Sequence, residues 1–105
     1  MRVKLMDVTD VIRSKNSGPY ELTFDIMFAE RGMFEQVCAA KVFDRAAVCR
    51  IFGVSGEDIV SVIEFAPARA VKITIRRPIP SGGAGDTDVY GAVQHAPLLY
   101  FEFDI

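Results

Sequence analysis

A chain of 105 residues, 50% hydrophobic and 25% charged, has the composition of one globular domain and excludes a disordered or fibrous class. Twelve basic against 14 acidic residues leave a net charge of −2, so no global attraction draws it to nucleic acid or anionic lipid, and any anion site must be local. No run approaches the ~18 apolar residues that span a bilayer, and Asp7 and Asp10 interrupt the start before a signal-peptide core can form, which predicts a cytoplasmic protein with no membrane contact.

In chain order, MRVKL suggests a short strand, and DVTDVI a turn of helix or an extended approach to the polar loop RSKNSGP, 13–19. The clearest strand is YELTFDIMF, 20–28. Tyr20, Leu22, Phe24, Ile26 and Phe28 alternate there with Glu21, Thr23, Asp25 and Met27, and the first set is expected to face a core. Two helices follow. Met33, Phe34, Val37 and Cys38 share one stripe, then Val48, Ile51 and Phe52 share another, with Asp44 as N-cap and Gly53 ending the helix as a C′ glycine. The runs IVSVIEF, 59–65, and AVKITIR, 70–76, joined by a tight four-residue connection, predict an antiparallel hairpin. LLYFEFDI is expected to be a last strand, 98–104, with Leu99, Phe101, Phe103 and Ile105 on one face and Tyr100, Glu102 and Asp104 on the other.

This order suits an α+β domain over residues 1–105, with an antiparallel sheet of at least four strands and helices on one face. A ferredoxin-like sandwich is the nearest architecture. A long loop, Pro78 to Pro97, stands where that fold carries its last crossover helix, and loops of that length in a compact domain are usually functional, disordered or docked on a partner. Phe24, Ile26, Val37, Ile51, Ile73 and Phe101 are the expected core. Cys38 and Cys49 lie among apolar residues and read as buried, reduced thiols, because two cysteines and one histidine lack a zinc-ligand spacing.

Two polar segments carry the functional reading. In RSKNSGP, the residues Arg13, Ser14, Lys15 and Asn16 can form an anion seat in which turn amides, hydroxyls and two cations converge on a carboxylate or phosphate. The same residue types also favour a plain solvated turn, and the string has neither P-loop nor dinucleotide-fingerprint spacing. In SGGAGDTDVYGAVQHAP, 81–97, the residues Gly82, Gly83 and Gly85 allow backbone amides to approach a bound anion. Asp86 and Asp88 offer a weak calcium signal or simple solvated carboxylates. Tyr90, Gln94 and His95 supply directional hydrogen bonds, and His95 is the one group whose ordinary pKa suits proton transfer near neutrality, or else a structural histidine. Opposite charges on Arg13 and Lys15 and on Asp86 and Asp88 predict that turn and loop lie together as one polar surface site. An Arg13→Ala change is then expected to leave the unfolding midpoint nearly unchanged.

Read together, IRSKNSGPYELTFDI, AVKITIRRPIPSGGAGDTDVYGAVQHAPLL and the helical middle resemble a family of roughly 100-residue bacterial proteins of unknown function. Members of that family accompany AtuA-type acyclic terpene utilisation proteins and are similar to the ferredoxin-fold domain that closes many AtuA chains. The resemblance spans nearly the whole chain. It implies an accessory role in organic-acid or acyl-CoA catabolism with an AtuA-like large protein as partner, supplies no established catalytic residues, and leaves cofactors unknown. Two expectations follow: a non-catalytic small subunit that binds the large protein, or a contributor to a shared carboxylate site with Arg13 and Lys15 as clamp and His95 as proton shuttle. Self-association is a further expectation, because a 20-residue loop on a small monomer has little burial to offset its ordering entropy.

Overall fold

The computed structural model describes residues 1–76 and 96–105. Its elements run β1 (Arg2–Lys4), α1 (Leu5–Val8), β2 (Thr9–Asn16), β3 (Glu21–Phe28), α2 (Arg31–Ala39), α3 (Arg45–Phe52), β4 (Ile59–Phe65), β5 (Ala70–Arg76), α4 (Ala96–Leu99) and β6 (Glu102–Asp104), with 3-10 turns at Gly56–Asp58 and Ala66–Ala68. The result is a mixed α+β fold with two antiparallel sheets. One has four strands in the order β2-β3-β5-β4, and the other pairs β1 with β6.

Alternation along β3 determines which face is buried. Leu22, Phe24, Ile26 and Phe28 are all buried, and register sets Leu22, Phe24 and Ile26 opposite Ile75, Ile73 and Val71 of β5, so one face of the two central strands is continuously apolar. The helices cover that face. Phe52 of α3 stacks on Phe24 with ring centroids 4.2 Å apart, and Phe34 of α2 tilts against Phe28 at 6.2 Å. The α3 ends form as their residues dictate. The Asp44 carboxylate accepts a hydrogen bond from the Ala47 amide at 2.8 Å, and Gly53 takes the left-handed conformation at φ 65° that closes the helix. Since β3 and β4 are each antiparallel to β5, they run in the same direction, and α2 and α3 carry the chain from the second strand of the sheet across to its far edge.

Four expectations need correction. The segment 98–104 is not a strand of the main sheet: α4 takes Ala96–Leu99, and only β6 pairs, with β1. The fourth strand of the main sheet is β2, formed by residues 9–16, which absorbs half of the expected RSKNSGP turn. Alternating polarity in LLYFEFDI suits a strand, but Leu98 is fully buried from the short helix, and Phe103 becomes the apolar residue of a three-residue strand. Tyr20 lies before β3 and is 60% exposed, so it is not a core residue. Of the expected core, Phe24, Ile26, Val37 and Ile73 are buried, while Ile51 and Phe101 pack only partly buried against it. Ala96 and Pro97 fall within α4, and the rest of the long loop, residues 78–95, lies outside the described residues.

Candidate functional site on the open sheet face

Because strand side chains alternate, the residues of β2 separate onto two faces. Ser14 pairs with Phe24 and Asn16 with Leu22, which puts both on the helix-covered side, where Ser14 is buried. Arg13 pairs with Asp25 and Lys15 with Thr23, on the side that α2 and α3 leave uncovered. The four residues expected to converge in one anion seat are therefore divided by strand geometry.

What gathers on this face, open in the sense that neither α2 nor α3 covers it, is different. Register aligns Arg13, Asp25, Lys72 and Ile63 in one row across β2, β3, β5 and β4, and Lys15, Thr23, Thr74 and Ser61 in the next. Arg76 stands opposite Glu21 at the end of the sheet. Arg13 donates from Nε to Asp25 Oδ2 at 3.0 Å, while the Asp25 side chain is only 2% exposed. The other carboxylate oxygen, Oδ1, is buried without a hydrogen-bond partner. The Thr23 and Thr74 hydroxyls hydrogen-bond each other at 3.1 Å, and Lys72 Nζ lies 5.4 Å from the centre of the Phe65 ring. Among the described residues, Arg13, Lys15, Lys72 and Arg76 thus share a face with only Glu21 and Asp25 as anions. A chain of net charge −2 carries here a locally basic surface floored by hydroxyls.

Asp25 escaped the reading from sequence, where it counted only as one of the polar residues alternating along a strand. The available signal was an aspartate, a residue depleted in strands, at the middle of a strand-forming run. Its partner on the next strand becomes visible only once register is known. Gly82, Gly83, Gly85, Asp86, Asp88, Tyr90, Gln94 and His95 lie outside the described residues, and with them the loop half of the expected joint site.

Away from this face, Cys38 and Cys49 are free and half-buried rather than fully buried. Burial, then a hydrogen bond to Glu64 and its negative charge, push the Cys38 thiol up to about 11, against a smaller opposing pull from Lys41. At neutral pH Cys38 is therefore a thiol and not a thiolate nucleophile. Among the described residues no group of three or more His, Cys, Asp or Glu side chains is placed to hold a metal ion, and no helix is long and apolar enough to cross a membrane.

A family model for a domain of unknown function, DUF4387, matches residues 5–102. The chain belongs to the DUF4387 family. Every residue of the open face falls within the DUF4387 match, so the basic rows are built on the family's own segment and not on an appended one. No curated protein and no solved structure matches this DUF4387 chain.

Proposed function

We propose that this chain is an accessory small subunit that binds an AtuA-like large protein in the cytoplasm and acts with it in organic-acid or acyl-CoA catabolism. The observation that carries the reading is the open sheet face, where Arg13, Lys15, Lys72 and Arg76 stand in register on a layer whose other side is filled by helices. A cationic, hydroxyl-floored sheet face offers an acidic protein surface both charge complementarity and fixed donors. The choice of an AtuA-like partner rests on the resemblance of residues 12–26 and 70–99 to AtuA-associated proteins. The topology fits a ferredoxin-like sandwich in permuted form: β3, the two helices and β4 enclose β5 as a split β-α-β unit, and β2 takes the edge position that the last strand of that fold occupies.

The test is co-purification with the AtuA-like protein from the same genome, using wild type and a Lys15→Glu/Lys72→Glu double variant. Loss of co-elution with the variant, at an unchanged unfolding midpoint, supports the reading. Equal co-elution of both chains rejects the open face as the docking surface.

The row formed by Lys15, Thr23, Thr74 and Ser61 favours one other reading, in which the face contributes an anion-binding part of a shared active site for a carboxylate, with Arg13 and Lys15 as clamp. Activity assays of each component and of the mixture separate the two. A large protein fully active alone leaves only the binding role, whereas activity that needs the mixture and falls with Lys15→Ala supports the shared site.

A further inference from the structure

The two edges of the four-stranded sheet are built differently. At one edge β2 carries Asp10, Arg13 and Lys15 and is broken in register between Thr9 and Val11, the charged and bulged construction that keeps an edge from pairing with another chain. At the other edge β4 reads IVSVIEF, with Glu64 as its one charge and no lysine, arginine or proline. Its register break lies between Ile59 and Ser61, and near that end an Arg45 guanidinium nitrogen lies 3.5 Å from the Ile59 carbonyl oxygen. Past the break, Ser61–Phe65 keeps an uninterrupted register with β5. Among the described residues, the main-chain groups of 61–65 have no backbone hydrogen bond outside that ladder. Ile63 is 51% exposed and Phe65 44%.

We propose that β4 pairs with β4 of a second copy of this chain, antiparallel about a two-fold axis at Ile63. The unbroken stretch 61–65 has an odd number of residues, so a two-fold axis through its middle residue places side chains of the same face opposite one another and keeps both helix layers on one side. Ile63 then meets its own copy, Ser61 meets Phe65 of the second copy, and Val62 meets Glu64. No charge lies directly opposite a like charge, and each strand supplies the donors and acceptors the other lacks. The pairing joins two basic open faces into one continuous surface. It does not depend on the proposed partner protein. A five-residue edge contact buries less than the ~1,200 Å² of a standard stable interface, so the association is weak and reversible.

Sedimentation velocity of the full chain from about 20 μM to about 1 mM tests it. The expected result is a mass that rises toward a dimer with concentration, together with concentration-dependent hydrogen-exchange protection of amides in 61–65. Ile63→Lys should abolish both while leaving the circular dichroism spectrum and unfolding midpoint near wild type, because Ile63 is half exposed. Lys15→Glu, on the opposite edge, should leave the dimer intact. Glu64→Val serves as a second β4 variant that should strengthen the dimer if Ile63→Lys compromises folding. A wild-type chain monomeric throughout, a dimer indifferent to Ile63→Lys and Glu64→Val, or full protection of 61–65 in the monomer would each overturn the proposal. The last outcome would show the edge already covered within one chain.

Discussion

Arg13 Nε lies 3.0 Å from Asp25 Oδ2, joining a half-exposed cation to a carboxylate that is almost completely buried in the middle of the central strand β3. The exposed end of the pair is easily taken for a surface charge, yet its partner has little access to water. Removing the guanidinium leaves a buried carboxylate with one oxygen already unpartnered and the other newly so. Arg13→Ala is therefore expected to lower stability by about 1–3 kcal/mol, a range held down because the arginine itself is screened by solvent. This replaces the expectation from sequence of an unchanged midpoint. Urea unfolding of Arg13→Ala beside Lys15→Ala checks it, since Lys15 is exposed and should be within ~0.5 kcal/mol of wild type.

Phe24 sits at the sheet–helix interface, buried in β3 and stacked on Phe52. Phe24→Ala should cost about 3–5 kcal/mol, because the rigid sheet cannot collapse into the cavity. Phe101, only partly buried against Phe43 and Phe103, should cost less. Equal urea midpoints for the two variants would contradict this ordering.

The ends of α3 give separable local effects. Asp44→Ala removes the acceptor for the Ala47 amide and should cost about 1 kcal/mol. Gly53→Ala meets no atom within 4 Å of an added Cβ, so its cost, about 1–2 kcal/mol, comes from backbone strain at φ 65° alone. Thermal unfolding of the two single variants and the double variant should show nearly additive losses, since the sites lie at opposite ends of the helix.

Cys38 makes a prediction about alkaline pH. Its pKa is raised in the fold, from 9.0 to about 11, so between those values the folded chain holds a proton that the unfolded chain has released. The contribution of Cys38 to stability is thus fully present below about 9 and is lost as pH rises toward about 11. The stability difference between wild type and Cys38→Ala should shift against wild type across that window. Thiol alkylation in the native protein should be slow at neutral pH and accelerate only toward the raised value, faster in Glu64→Gln, where the carboxylate that holds the proton is gone.

Local chemistry by itself determined much of this protein. The period-two run of β3, the 59–65 and 70–76 hairpin, the Asp44 cap and the Gly53 helix end are all written in residues close together in the chain, and each forms as those residues dictate. The order of these elements likewise pointed to an α+β fold, and among the described residues no helix is long and apolar enough to cross a membrane. The third dimension decided what local pattern leaves open. That Leu98 and Leu99 end a helix, and that the strand starts only at Glu102, goes with burying Leu98 in a core built from distant segments. RSKN could be turn or strand until β3 supplied the ladder, and strand pairing then sent Arg13 and Lys15 to one face and Ser14 and Asn16 to the other. Asp25 acquired its significance in the same way, because the groups that meet it come from β2 and β5, and cross-strand register is a property of the folded sheet.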